Sequence, residues 1–438
     1  MVVGARTWVL TLAAAAFMTQ PVFAEGLRKG EEKAAAAGFS AVGLARVDST
    51  IEAAIRAEAT PGAALAIGRH GEIVRLRGYG RLSWGYGADA VTDSTLYDIA
   101  SLTKVVGTTS AIMLLVERGE LDLDRAIYHY LPYWPYLGDH GRITLRHLLS
   151  HTSGLPAGAN LWTTPGRQEK IERIAHMRLS SEPGTLTRYS DLGMIVAAAV
   201  IEAVAAERLD DFLYREVFEP LGLQETRFNP RSQVGDEAVI ARATPLIRLP
   251  VPSAFFGPFQ IIASWAPRVA APAARIPSAR IAPTERGTPR GYVHDSNAAA
   301  LDGVTGHAGL FSSARDLAVF AQAMLEAMQG EDMPMLKAAT VNQFLQTPGE
   351  PRRRALGWDV ARGEKSSAGD YFTEESFGHT GFTGTSIWID PKRDLFVVLL
   401  TNRLHPSASN KKHIAMRRAV HDAVQLAIQD QLVTARLD

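Results

Sequence analysis

Two segments at opposite ends of this chain each read as a β-hairpin, and together they constrain the fold more than anything between them. Gly62-Ala63-Ala64-Leu65-Ala66-Ile67-Gly68 and Ile73-Val74-Arg75-Leu76-Arg77-Gly78-Tyr79-Gly80 flank Arg69-His70-Gly71-Glu72. Thr385-Ser386-Ile387-Trp388-Ile389 and Leu395-Phe396-Val397-Val398-Leu399-Leu400 flank Asp390-Pro391-Lys392-Arg393-Asp394, a run with strong turn chemistry. A lone hairpin is marginally stable in water, so the two are expected to share one antiparallel sheet.

The intervening chain is mostly helical in pattern. An amphipathic helix is expected near Asp48 to Glu58, and a short apolar one at Leu145-Arg146-His147-Leu148-Leu149. A long Ala/Val/Ile-rich helix is expected from Asp191 to Ala206, and one from Leu209 to Phe218 stopping at Pro220. Ser312 and Ser313 precede Asp316 and a run to Gln329 in the manner of an N-cap. A closing helix near Lys411 to Gln431 would pack on the sheet. The expected class is α+β: an antiparallel sheet from both termini, flanked by helices, plus an inserted helical lobe.

Hydrophobic residues make up 46% of the 438, ample for a sizeable core. The formal net charge is +0, which gives no electrostatic reason to bind nucleic acid. The chain has no cysteine, which excludes disulfides, thiol catalysis and Cys-ligated zinc. Arg6, the apolar run Trp8 to Met18 and the small residues of Val22-Phe23-Ala24 have the layout of a signal peptide cleaved near Ala24. Residues 1–24 are therefore expected to be removed on export to the periplasm or medium. Residues 25–47 would be a lead-in, and 48–431 one catalytic domain. Within it, an α/β lobe takes about 48–100 and 300–431, and a helical lobe about 105–299.

Pro245 to Pro289 is rich in Pro, Ala and Arg and holds the aromatic run Phe255 to Trp265. A connection this long suggests a lid or binding loop. Its aromatics fit a groove or an inter-lobe gap better than a membrane surface, although membrane contact stays open.

The chemistry concentrates at Ser101-Leu102-Thr103-Lys104, which opens the most apolar helix. Residues three apart share a helix face, so the ammonium can reach the hydroxyl. The N-terminal helix dipole favours negative charge there. Ser-x-x-Lys alone is weak: Ser409-Asn410-Lys411-Lys412 repeats it, at the expected polar start of the last helix. The first pair has companions in Tyr189-Ser190-Asp191 and in His379-Thr380-Gly381-Phe382-Thr383-Gly384.

With these three motifs in order, the chain resembles the serine β-lactamase and penicillin-binding-protein family, most closely its class C-like branch, from about Asp48 to Arg403. His147 to Leu155 and Phe218 to Leu223 are also typical of that branch. Gly291 to Asp295 and Gly303 to Phe311 look like a subgroup linked to cell-wall turnover. The resemblance implies a β-lactamase/transpeptidase-like fold and an acyl-enzyme on Ser101, with no metal and no organic cofactor. Lys104 would hold or remove the Ser101 proton, and Tyr189 would act as general acid/base. The backbone N–H groups of Ser101 and Phe382 would form the oxyanion hole. Asp191, His379, Thr380 and Gly381 would contact substrate, Gly381 by letting the strand come close.

Two positions depart from the pattern: Asp191 where the family often has Asn, and His379 where it often has Lys. Both make the pocket less positive. A phenolate near neutral pH needs nearby cations, because the ordinary tyrosine pKa is about 10. Tyr189 is therefore expected to start neutral, with Lys104 kept protonated by Asp191 and an acidic limb of activity set by His379. The missing Lys weakens the grip on a substrate carboxylate, which disfavours strong β-lactamase activity. A small substrate such as a cell-wall or D-amino peptide fits best. A carboxylic ester is the alternative, and a non-catalytic muropeptide-binding or sensor role is the competitor from another class.

The remaining candidates have plainer readings. His147 and His151 lie four apart, but the metalloprotease Glu is missing. His294 and His307 are candidates for the pocket rim or for tying two loops together. Arg403 is a candidate for meeting a carboxylate or for a plain surface role. The absence of Gly-x-Ser-x-Gly argues against an α/β-hydrolase. Oligomeric state is not legible.

Overall fold

The computed structural model describes residues 32–230, 280–284, 290–346, 354–362 and 366–430. The expected signal peptide and the aromatic run Phe255 to Trp265 lie outside the described residues. The strands are β1 (Gly62–Arg69), β2 (Glu72–Gly80), β3 (Tyr97–Asp98), β4 (Arg227–Phe228), β5 (Leu310–Ser312), β6 (Asp359–Val360), β7 (Phe377–Thr380), β8 (Ser386–Asp390) and β9 (Leu395–Thr401).

The two hairpins do share one sheet, of six antiparallel strands in the order β2-β1-β9-β8-β7-β6. The N-terminal and C-terminal hairpins meet where β1 pairs with β9, with Ala64 facing Leu400 and Ile67 facing Val397. Successive side chains on a strand point to opposite faces. Accordingly Ala64, Ala66, Ile387, Val398 and Leu400 join the larger core toward the helical lobe. Their neighbours Ala63, Leu65, Ile67, Trp388, Val397 and Leu399 join a second core on the other face. With both faces covered, β1 and β9 are buried throughout and read as unbroken apolar runs. A small sheet β3-β5-β4 lies beside it. Its two- and three-residue strands are too short to show periodicity, and β4 falls in a region that reads as helical.

Six helices matter for the site: α1 (Ala41–Arg56), α2 (Ser110–Glu117), α3 (Leu145–Leu149), α4 (Asp191–Ala205), α5 (Ala314–Met328) and α6 (His413–Leu426). Helix α1 starts before the expected Asp48, because Ser40 Oγ accepts the Gly43 N–H at 2.8 Å and Leu44, Val47 and Ile51 form its buried face. The expected lead-in 25–47 therefore contains folded helix. The helix from Leu209 continues through Pro220 to Leu221, with Gly222 as its C-cap, since Pro220 opens a last turn in which its missing N–H is not needed. Ser313 caps α5 as expected, its Oγ accepting the Asp316 N–H at 3.2 Å. Ala100–Glu117 is apolar and long enough to cross a membrane, but 83% of it is buried inside the protein, so it is a core helix.

Candidate active site

The nucleophile candidate sits just after β3, on a forced turn. Ala100 has φ 47°, a left-handed conformation that costs a non-glycine residue about 1–3 kcal/mol. Asp98 offsets that cost. Its buried carboxylate accepts the Ala100 N–H at 2.9 Å through one oxygen and the His294 N–H at 2.8 Å through the other.

Ser101 then lies in a 3₁₀ turn, Ala100–Leu102, followed by a π turn, Lys104–Thr109, before α2 begins. The single regular helix expected here is thus replaced by three windings. The reason is a buried polar run. Thr103 Oγ1 accepts the Leu310 N–H at 3.2 Å, Thr108 Oγ1 donates to the Gly306 carbonyl at 2.7 Å, and Ser110 Oγ donates to the Val105 carbonyl at 3.1 Å. The altered winding lets these groups find partners away from water.

Lys104 is fully buried, and its three protons face three acceptors. Nζ lies 2.9 Å from Ser101 Oγ, 2.9 Å from the His307 carbonyl and 2.8 Å from Asp191 Oδ1. The Asp191 contact is an ion pair whose geometry is off-axis for a hydrogen bond. Burial pulls the lysine pKa down, but the Tyr189 and Asp191 oxygens outweigh it and leave the pKa above the ordinary lysine value. Lys104 is a fixed ammonium. Asp191 is the first residue of α4, where the helix dipole favours a carboxylate.

Tyr189 stands in the extended segment before α4 and places its hydroxyl 3.1 Å from Ser101 Oγ. His151 packs on it with ring centroids 4.5 Å apart, and His151 Nδ1 accepts the Ser190 N–H at 3.1 Å. Burial holds the His151 pKa well below the ordinary histidine value, helped by the charges of Arg354 and Lys104. The Arg354 guanidinium lies 4.9 Å from the Tyr189 ring centroid.

The third motif runs from β7 into the turn before β8. Gly381 is needed there for a reason other than substrate access: a Cβ on it would lie 2.1 Å from Thr385 Oγ1 and 2.6 Å from the Ile99 carbonyl. The turn is thus clasped to the chain carrying Ser101. Thr380 is partly exposed and Phe382 is 54% exposed beside it. His379 is not at the open surface. It is buried, its Nδ1 donates to the Thr380 carbonyl at 2.9 Å, and its ring centroid is 6.1 Å from that of Tyr189. Burial lowers its pKa to about 4, so it is neutral at pH 7.

The two rim candidates separate. His294 does reach the rim, stacking on Phe382 with centroids 5.6 Å apart. His307 does not: it is buried, its ring held between Thr305 Oγ1 and Asp295 Oδ1 at 2.8 Å each, behind Lys104. It ties loops together. Arg403 is committed to backbone carbonyls of Phe382, Ala408 and Asn410 at 2.7 to 2.9 Å, with its guanidinium 4.3 Å from the Phe382 ring centroid, so it braces the turn. His147 Nδ1 accepts the Thr144 N–H in the cap of α3 at 3.2 Å, while His151 serves Tyr189, so the two histidines do separate work. Lys412 donates to the Ala57 carbonyl at 2.8 Å, which places the second Ser-x-x-Lys in surface structure. Sequence reasoning missed Asp98, His151 and Arg354 as members of the site. Asp98 borders the motif, but Arg354 carries no motif at all.

The arrangement sets a serine oxygen between a fixed ammonium and a phenol, beside the chain to which the third-motif turn is clasped. Such a site can activate a hydroxyl for acyl transfer. Known proteins agree with this class. Residues 47–421 match the family described as Beta-lactamase, and the chain belongs to that family. It is 30% identical over 397 residues to N-acetylmuramyl-L-alanine amidase of Bacillus subtilis (strain 168), covering 84% of this chain and 83% of that one. It is 31% identical over 340 residues to an Escherichia coli (strain K12) protein that carries the name D-alanyl-D-alanine carboxypeptidase provisionally, covering 74% of this chain and 72% of that one. Among solved structures, EstCE1, a hydrolase with promiscuous acyltransferase activity, superposes with a TM-score of 0.62 at 24% identity, covering 87% of this chain and 98% of that one. The protein is a serine hydrolase with the β-lactamase/transpeptidase-like α+β fold.

Proposed function

We propose that the protein is an exported hydrolase that cleaves small cell-wall-type or D-amino peptides through an acyl-enzyme on Ser101. One observation carries the mechanism: hydrogen bonds to Ser101 Oγ and the His307 carbonyl and the ion pair with Asp191 hold Lys104 as an ammonium, which has no lone pair to take the Ser101 proton. Among the described residues, Tyr189, 3.1 Å away, is the other hydrogen-bond partner of Ser101 Oγ, and its oxygen can accept the proton. Ser101 Oγ bonds to the substrate carbonyl carbon as its proton passes to the Tyr189 oxygen, which must start as the phenolate rather than in the neutral form expected from sequence, because the ammonium of Lys104 leaves no other base in this scheme. Lys104 stabilises the developing charge on Oγ. The N–H groups of Ser101 and Phe382 receive the oxyanion. Tyr189 then protonates the leaving amine as the C–N bond breaks, and later deprotonates the water that releases the acyl group.

Substrate preference follows from charge. Asp191 has about a third of its side chain exposed and accepts but does not donate, which suits an amine or N–H of a D-amino or stem peptide. His379 is buried and neutral, so the third motif offers no cation to a carboxylate. The same observation favours a second reading, a neutral carboxylic ester. The names of the amidase and carboxypeptidase relatives support the peptide reading.

Mass spectrometry of the protein after exposure to penicillin, short esters and D-amino peptides tests this. The expected result is a mass increment on Ser101, absent in Ser101→Ala, with D-amino peptides turned over fastest. A chromogenic cephalosporin hydrolysed far faster than any ester or D-amino amide overturns the preference. Export rests on residues 1–24, with the charge of Arg6 and the small residues before Glu25. N-terminal sequencing of the protein from separated cell fractions tests it: a start at Glu25 outside the cytoplasm is expected, and an intact Met1 overturns it.

A further inference from the structure

Tyr189 is faced from every side by charged or titratable groups. The π turn brings Lys104, with Nζ 5.0 Å from the ring centroid. Helix α4, which begins two residues after Tyr189, brings Asp191, which is paired with Lys104. The chain after α3 brings His151, and β7 brings His379. Next to β6 stands Arg354, its guanidinium 4.9 Å from the ring centroid, joined to Asp359 at 2.6 Å. Both histidines are neutral at pH 7, because burial disfavours their charged forms. Among the described residues around the ring, the cations are therefore Lys104 and Arg354. The charge of Lys104 is already shared with Asp191 and Ser101.

The pairing with Asp359 fixes only one end of the Arg354 guanidinium. Its Nη1 is buried with no hydrogen-bond partner among the described residues, yet the guanidinium stays over the phenol. That is the geometry of a cation attracted by an aromatic face, and a phenolate attracts it more strongly still. Asp359 anchors it through the sheet. Asp359 pairs with Gly378, the residue before His379, so the arginine is registered against the strand that carries the third motif.

We propose that Arg354, tethered by Asp359, is a positioning residue for Tyr189 that supplies from the sheet edge the positive charge missing at position 379, and so favours the deprotonated phenol that takes the Ser101 proton. This rests on the role given to Tyr189 above.

The test is the pH dependence of kcat/KM for a p-nitrophenyl ester and a D-amino p-nitroanilide, measured on Arg354→Gln, Arg354→Lys and Tyr189→Phe. Arg354→Gln is expected to lose at least tenfold at pH 7, mainly in kcat, with its acidic limb displaced upward by about one pH unit. Arg354→Lys is expected to keep most of the rate and an undisplaced limb. An unmoved limb in Arg354→Gln overturns the proposal. So does Arg354→Lys being as impaired as Arg354→Gln, or a loss confined to KM, which would make Arg354 a substrate anchor. Should Arg354→Gln fail to fold, a displaced limb in Arg354→Lys also overturns it. Tyr189→Phe separates the two readings. If Tyr189→Phe is fully active, the role of Tyr189 itself falls. If it is inactive while the limb of Arg354→Gln is unmoved, only the proposal for Arg354 falls.

Discussion

Tyr189 Oη lies 3.1 Å from Ser101 Oγ, although 88 residues separate the two in sequence. Ser101 is placed by a strained turn after β3, and Tyr189 by the entry to α4. Their meeting depends on two elements being held independently, and each hold can be tested.

The first hold is the turn at Ala100. Ala100→Gly relieves the left-handed backbone and is expected to stabilise the fold by about 0.5–1 kcal/mol. Asp98→Ala removes the acceptor of two backbone N–H groups and is expected to destabilise by about 2–4 kcal/mol, with loss of activity. Urea unfolding of the two variants reads both signs. A destabilised Ala100→Gly would show that the turn is not under strain.

The second hold is the pair Lys104–Asp191. The folded lysine has its pKa raised, so the stabilisation is fully present below the ordinary value and is lost as pH rises through the folded value. Asp191→Asn is expected to lower stability by about 1–3 kcal/mol at pH 8, less than for a fully buried pair because Asp191 is partly solvated. The gap from the parent protein should narrow in strong alkali. Activity should fall as well, since an ammonium without its carboxylate is free to lose its proton. A gap that is constant with pH would exclude the linkage.

Buried histidines set the acid limit. His379 has its pKa lowered to about 4, and His413 and His421 to about 3, each chiefly by burial. The unfolded chain protonates these rings first, so stability is expected to fall as pH drops below about 6.5. His379 alone would contribute about 3 kcal/mol by pH 4. His421→Gln should flatten the fall in urea midpoint between pH 6.5 and pH 4, and an unchanged slope would count against it. The same value for His379 places the acidic limb expected from that residue. Set by His379, the limb would lie near pH 4, so His379→Asn is expected to leave any limb between about pH 5 and 9 in place.

Gly381→Ala tests the clasp between the third motif and the Ser101 turn. Its Cβ would collide with Thr385 Oγ1 and the Ile99 carbonyl, forcing the turn that carries Phe382 away. A displacement of that kind is expected to cost about 10²-fold in kcat with little change in KM. Wild-type kcat in this variant would show that the close approach is not required.

Much of the fold was legible because it rests on local pattern. Apolar runs and turn residues marked both hairpins, and Asp191 opened its helix where expected. Helix α1 was placed late because its Ala-rich start hides the period of its buried face. At the site, Ser101, Lys104 and Tyr189 were legible from motif. His307 and Arg403 were not, because a polar side chain near a motif reads alike whether it lines a pocket or braces the chain behind it.

The sequence by itself determined the sheet, the class of chemistry and the residues that meet at Ser101, since each depends on short-range pattern or residue type. Only the tertiary structure decided how that chemistry is charged. Burial made His379 neutral, and tertiary packing fixed Lys104 as an ammonium and laid Arg354 over Tyr189 from a segment next to β6 with no motif. Desolvation and long-range pairing depend on what surrounds a group in three dimensions, and no spacing along the chain records that.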